Sequence, residues 1–399
     1  MKDSKSIEMT GEYFDAKIRS IDENHNRWRR NQSISKVTKC DNHQWALNWP
    51  MISLLIGSHL ASMVGIKLAI FDAKISTLIF YFVLIQFGAT GIICGAHRLW
   101  THRTYRAHFI WRTFLMICQT LALQFSILDW SHIHRVHHKY SDTDADPHNA
   151  NRGFFFSQIG WLCVHPHPKY LEHRNEIQLN DLIEDPVVRF QHRFYLPLVG
   201  IITFLLPTLI PWYFWSESLS IAFFVNIFRH LLSVHQTSLV NSAAHIFGSR
   251  PYNQYIEPTE NRFSTYVTMG EAYHNYHHSF PWDYSASEFG WDRNYNPMTA
   301  VIDFAALLGL VWERKKVPKE MILKRIQRCG SKRGDEHRSH VDVCDDDCCF
   351  NDNLLDDDGA SRRPKSLLLD TIIGFVSLFW AFWILLLLRL CTHHYFIVL

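Results

Sequence analysis

This chain is short of the features that make a disulfide-stapled, nucleotide-binding or polyanion-binding protein. Its nine cysteines are scattered through 399 residues, with Cys94 and Cys118 inside apolar stretches. That is no disulfide framework, and it fits a reducing, cytosol-facing protein. No Gly-x-Gly-x-x-Gly turn occurs, so no dinucleotide-binding fold is expected, and no fused haem domain is visible. The formal net charge is only +2, which gives no electrostatic basis for a nucleic-acid partner. No internal repeat stands out beyond an echo among histidine clusters. Residues 1–45 are polar and lack the charged, apolar and small-residue succession of a cleaved presequence. They read as a tail with some amphipathic helix.

What the chain has in surplus is histidine, 25 against 40 Lys+Arg. His97 and His102 frame one cluster, His134, His137 and His138 a second, and His274, His277 and His278 a third. Neutral imidazole suits Fe, Cu, Zn and Ni. A pair at i, i+3 or i, i+4 puts both rings on one helix face, and the adjacent histidine adds a third direction. Three clusters in one chain therefore predict a transition-metal centre. The Glu and Glu-x-x-His sets of soluble di-iron bundles are not found. Asp142, Asp144, Asp146 and Glu271 are candidates to orient ligand rings through the second ring nitrogen.

Apolar residues concentrate in runs 51–71, 75–95 and 194–215, each near the roughly 20 residues a bilayer span needs. A weaker fourth, 219–240, carries Arg229, His230 and His235, so it is expected to face a polar interior. Short links join the runs into two hairpins. The basic residues lie on the opposite side, which the positive-inside rule makes cytosolic. All three histidine clusters fall on that side. Residues 113–128 are apolar but too short to cross, and read as interfacial or re-entrant. The expected fold is an all-α membrane protein: two transmembrane hairpins, four spans in all, with a cytosolic helical cap holding the metal site in a domain of residues 46–330. A metal transporter would instead keep its ligands at mid-membrane.

Beyond it, residues 331–366 read as an acidic disordered linker. Its His337, His340, Cys344, Cys348 and Cys349 fit no zinc spacing. Residues 367–399 read as a C-terminal transmembrane segment, with 367–390 a possible fifth span preceded by Arg362, Arg363 and Lys365.

The histidine boxes themselves resemble a known family. His97-Arg-Leu-Trp-Thr-His102, His134-Arg-Val-His-His-Lys-Tyr-Ser-Asp-Thr-Asp-Ala-Asp-Pro-His-Asn149 and Gly270-Glu-Ala-Tyr-His-Asn-Tyr-His-His278 are similar to the three boxes of stearoyl-CoA-type acyl-CoA desaturases. Arg152-Gly-Phe-Phe-Phe156, Asn241-Ser-Ala-Ala-His245 and Arg314-Lys-Lys316 resemble that family too, and the similarity runs from about residue 45 to 330. The resemblance implies a di-iron enzyme of the endoplasmic reticulum membrane, its site facing the cytosol. Such an enzyme uses O2 and two electrons to remove two hydrogens from a fatty acyl chain, in unsaturated fatty acid biosynthesis. It places nine ligands at His97, His102, His134, His137, His138, His245, His274, His277 and His278, with Asn241 holding one iron through water. His148 matches a family position but is expected to support rather than ligate. His132, His165, His167, His192 and His230 are expected outside the ligand set.

The resemblance also implies a bent acyl tunnel within a protein that sits in membrane lipid, with Gln124, Trp130, Thr237 and Ser238 at the bend and Tyr81 and Ile85 as a plug at its far end. Ser238 stands where the family usually has Trp, which widens or reshapes the bend. Cytochrome b5 and its reductase are the implied electron donors, with the basic run Arg314–Lys316, Lys319, Lys324, Arg325 and Arg328 as a docking face. Around the tunnel mouth, Phe125, His132-Ile133 and His165-Pro166 replace polar and charged family residues, so weaker acyl-CoA binding or another acyl carrier is expected. Lys139, Lys169 and Arg174 are candidates to take over the phosphates. Rival readings are a hydroxylase, a desaturase acting on a different head group, or a non-catalytic membrane scaffold.

Overall fold

The computed structural model describes residues 44–331. The expected tail up to residue 43, the linker from 332 and the fifth span lie outside the described residues. Within the described residues, the part from Leu47 to Ser331 is one helical body. Its only strand pair is β1 (Arg106–Ala107) against β2 (Val311–Trp312), antiparallel, among the described residues.

Helix α1 (Trp49–Phe71) starts where the Asn48 side chain accepts the Met51 amide and Pro50 fills the first turn. After a tight turn, α2 runs from Ile75 to Thr101. Helices α3 (Phe109–Ala122) and α4 (Ile127–Tyr140) follow in the chain, and the second hairpin is α5 (Tyr195–Trp215) and α6 (Leu219–Asn241). Helices α1, α2 and α5 are long and apolar enough to cross a membrane. Helix α6 matches the expected 219–240 in length, but its polar residues keep it out of that group. The two hairpin turns lie at one end of the body, clamped by Glu217: its Oε2 accepts from the Lys74 amide and from Thr77 Oγ1.

Two glycines mark where helices come close. A Cβ on Gly65 would sit 2.3 Å from the Phe224 carbonyl oxygen, which locks α1 on α6. One on Gly91 would sit 2.1 Å from the Gln119 amide nitrogen, which fixes α2 against α3.

The apolar stretch 113–128, expected not to span, becomes α3 and α4, two helices bent by 81°. A helix end among apolar surroundings needs partners for its carbonyls. They are supplied here: Thr120 O accepts from Thr203 Oγ1 on α5, and Phe125 O from Gln119 Nε2. Leu121 O faces the guanidinium of Arg229 on α6. The buried Arg229 is thus placed to favour the negative end of α3. Leu123 and Phe125 pay for the sharp turn with φ of 52° and 64°.

Candidate metal centre and adjoining cavity

Helix α2 changes winding before it reaches its histidines. Over Gly91–Thr101 the backbone bonds close i→i+5, as in His102 N to His97 O at 3.1 Å. In an α-helix, residues five apart point about 140° away from each other. The wider winding turns them to one side, and the His97 and His102 ring centroids stand 4.9 Å apart. Insertions of this kind are frequent at functional sites.

Helix α4 and the short α7 (His274–Ser279) carry the other two clusters. Each puts its i, i+4 pair on one face and its middle histidine on another. The result is two groups. His97, His102, His134, His138 and His277 form one, and His137, His245, His274 and His278 the other, with the ligand atoms of each within 4.8 Å of one another. Helix α4 gives His134 and His138 to the first group and His137 to the second, while α7 gives His277 to the first and His274 and His278 to the second. His245 arrives on the four-residue helix Ala243–Ile246, just beyond α6.

Carboxylates fix three of these rings. His97 Nδ1 donates to Glu271 at 2.6 Å, His137 Nδ1 to Asp146 at 2.8 Å and His245 Nδ1 to Asp142 at 3.0 Å. Asp144 does not join them; it pairs with Arg152 and Lys169. Each ring so held presents a bare Nε2 to the interior. His97 Nε2 then faces His277 Nε2 at 2.9 Å, and His245 Nε2 faces His274 Nε2 at 3.0 Å. The Nε2 atoms of His134, His138 and His277 are also about 3 Å apart in sequence around the first group, at 3.1 and 3.0 Å. The Nε2 atoms of His102 and His137 are buried with no hydrogen-bond partner. Crowded lone pairs and orphaned nitrogens of this kind are satisfied together by a cation in each group, so the donor set fits a metal pair.

Burial and the neighbouring imidazoles hold His274, His277 and His278 well below the ordinary histidine range, so they stay neutral and available to a metal. Burial pushes the carboxyl of Glu271 up, but Arg98 and His97 outweigh it and bring it down to about 2. Against the same burial penalty, His137 and His148 hold Asp146 below the carboxylate range, and His245 does so for Asp142. His148 packs at 4.4 Å from the His137 ring, beside Asp146 and outside the groups of five and four. Burial takes it to about 3.

Sequence reasoning did not single out Arg98. It is 1% exposed and bonds Glu271, Thr299 Oγ1, Asn296 Oδ1 and the Tyr284 carbonyl. Its place next to His97 in the first box was the available signal.

A cavity of about 430 Å³ adjoins both groups, and Gln124, Trp130, Thr237, Ser238 and Asn241 line it together with His97, His134 and His274. Trp130 stacks on the His134 ring at 4.8 Å. Gln124 Nε2 donates to Thr237 Oγ1 at 3.1 Å, which ties the α3–α4 turn to α6 across the cavity. His230 lines this cavity, away from the metal groups. Tyr81 and Ile85 do not line it. Tyr81 packs with Ala69, Leu78 and Val225 and donates to Ala222 O at 2.6 Å, while the α2 wall of the cavity stops at Ala89.

Of the residues expected at a tunnel mouth, Phe125 lines the cavity and lies against Trp161, while His132 Nε2 is engaged with the Arg174 carbonyl at 2.8 Å. His165 and Pro166 are exposed. Of the substitute cations, Lys139 pairs with Glu176 and Lys169 with Asp144, and the Arg174 guanidinium lies over the Tyr170 ring.

The comparisons with known proteins agree with this geometry. The family model described as fatty acid desaturase matches residues 75–289. The chain is 50% identical to the acyl-CoA Delta-9 desaturase of Acheta domesticus, over 71% of this chain and 79% of that protein. It is 49% identical to the stearoyl-CoA desaturase of Bos taurus, over 71% and 78%. With the acyl-CoA Delta(11) desaturase of Spodoptera littoralis it shares 46% identity, over 68% and 80%. The chain belongs to the fatty acid desaturase family.

Proposed function

We propose that this chain is a membrane acyl-CoA desaturase that holds two iron ions and uses O2 to place a cis double bond near the middle of a fatty acyl chain. One observation carries the reading: a largely apolar cavity, lined by Trp130 and by the hydrogen-bonded pair Gln124 and Thr237, adjoins two groups of buried imidazoles. Iron held there supplies the O2 activation for removing two hydrogens, with two electrons delivered from outside. The nine histidines would hold it, and Asn241, at the cavity wall beside His274, would complete the four-histidine group through water.

The protein's own contribution is position. A saturated chain offers no polar handle, so the shape of the cavity decides which carbons lie against the metal groups. Ser238 leaves the bend wider than a large aromatic residue would. Glu271, Asp142 and Asp146 keep their imidazoles turned inward, which saves reorganisation when metal binds. Relatives named for Delta-9 and for Delta(11) chemistry match at similar identity, so the position within the middle of the chain is left to that shape.

The reading extends to topology. Helices α1, α2, α5 and α6 would form four spans in the endoplasmic reticulum membrane, with α3 and α4 re-entrant and the metal site toward the cytosol. Cytochrome b5 and its reductase would deliver the electrons, drawn by the basic helix Lys319–Cys329. The test is expression in a host that lacks its own acyl desaturase, followed by fatty-acid analysis. A new monounsaturated acid with an internal cis bond is expected. A hydroxylated product would replace this reading with the hydroxylase, and no change in lipid profile from an iron-loaded protein would favour a non-catalytic scaffold.

A further inference from the structure

Three of the four ligands in the four-histidine group ride on short helices, against one of five in the other group. His245 sits on a four-residue helix and His274 on a six-residue one, too short to hold a shape on their own. A single stretch of chain between them, residues 259–261, bonds to both. Thr259 is 1% exposed. Its amide and its Oγ1 both donate to the Ala244 carbonyl, at 2.7 and 2.9 Å, and Oγ1 also reaches Phe247 O at 2.8 Å. On its other side, the Thr259 carbonyl accepts the His274 amide at 3.2 Å. Thr259 thus stands between the neighbour of one histidine and the backbone of another.

Glu260 and Asn261 extend the same connection. The enclosed Glu260 carboxyl accepts the amide of Tyr276 at 2.8 Å and takes a second backbone bond from Asn275. Together with Thr259 it satisfies the amides of His274, Asn275 and Tyr276, three of the four left open at a helix start. Asn261 Nδ2 donates to Phe247 O at 2.7 Å, and its amide to Ala272 O at 3.0 Å. Gly248, at φ 145°, lets the two strands close, since a Cβ there would come 2.4 Å from the Glu260 carbonyl oxygen.

We propose that Thr259, Glu260 and Asn261 are positioning residues: a strap that sets the separation of His245 and His274 and so governs metal retention in the four-histidine group far more than in the other, which takes only His277 from the strapped helix. The inference rests on the reading of the two groups as iron sites. Burial raises the Glu260 carboxyl to about 8, so the group is largely uncharged at neutral pH and glutamine is a close mimic of its acceptor.

The experiment uses the full-length chain purified in detergent, loaded with iron, and measures iron per chain together with the time course of release to a chelator. Wild type is expected to hold two irons. Thr259→Val keeps the volume but removes the hydroxyl, and should speed release of one iron about 10-fold or more while the other leaves at the wild-type rate. Glu260→Ala should leave about one iron per chain, and Glu260→Gln should restore two. Should Glu260→Ala fail to fold, Thr259→Val and Glu260→Gln still decide the matter. Equal loss of both irons, or wild-type release from Thr259→Val, overturns the strap while leaving the iron reading intact. Wild type that holds no iron overturns the iron reading itself, and the strap with it.

Discussion

The two histidine groups hold the same kind of ligand by different means. In the five-histidine group, four rings come from two long helices or their ends: His97 on α2 and His102 capping it, His134 and His138 on α4. Those helices are rooted in the apolar body, so winding and helix packing set the rings in place. In the four-histidine group, only His137 has such a base. His245, His274 and His278 ride on short helices that hydrogen bonds hold together. Rigid packing serves where a ligand lies at the end of a long helix; elsewhere a metal site must be laced from polar contacts, each of which a single substitution can remove.

The largest effect tests whether the groups act together. His277→Ala and His137→Ala each remove one inward nitrogen, from the five- and the four-histidine group respectively. Both should abolish product in the desaturase-deficient host while the protein stays in the membrane fraction. Wild-type product from either would break the assignment of that histidine to a required metal.

The carboxylates come next. Glu271→Gln should cost the five-histidine group more than Asp142→Asn costs the other, because it also strands the buried Arg98. Removing one partner of a buried pair costs about 3–5 kcal/mol, so a lowered melting temperature should accompany the loss of activity. Asp142→Asn frees only the His245 ring, and a reduction on the order of 10–100-fold in metal affinity or activity is expected. Equal melting temperatures for the two variants would show that Arg98 finds other support.

A smaller effect appears with pH. Burial raises Glu260 to about 8, against about 4.3 in an unfolded chain. Its contribution to stability is therefore fully present below about 4.3 and is lost as pH rises through 8. Melting temperature should decline over that window in wild type and be flatter in Glu260→Gln. Parallel curves would place the pH dependence elsewhere.

The smallest expected effect lies at the cavity mouth, away from both groups. His132 is already bonded to a carbonyl, and Lys139 and Lys169 already pair with acids. Side chains so engaged have less to offer coenzyme A phosphates, so acyl-CoA affinity should weaken as salt rises and as pH rises above the histidine range. Tight binding that ignores both would show that the lost family contacts do not matter.

How far the sequence spoke differs between the metal centre and the cavity. Eight of the nine histidines stand out in the three boxes, whereas His245 is named only through the family resemblance. The flanking carboxylates Asp142, Asp146 and Glu271 could be suspected, because all three lie within a few residues of a box. Gln124, Trp130, Thr237, Ser238 and Asn241 line one cavity, and Tyr81 and Ile85 do not. A small shift of packed side chains opens or closes such a cavity, and nothing in local spacing records it.

The sequence by itself determined the ligand type, the apolar runs and the faces that helical spacing creates, because each depends on residues a few positions apart. Only the tertiary structure decided how those faces sort into five and four, which carboxylate serves which ring, and that residues 259–261 join the elements of the second group. His245 meets Asp142 across 103 residues of chain, and His97 meets Glu271 only where α2 packs against the segment before α7. Contacts of that range are made by packing and hydrogen bonding between elements. The rewinding of α2 over Gly91–Thr101 belongs with them: His97 and His102 stand five apart, a spacing an ordinary helix would have pointed in different directions.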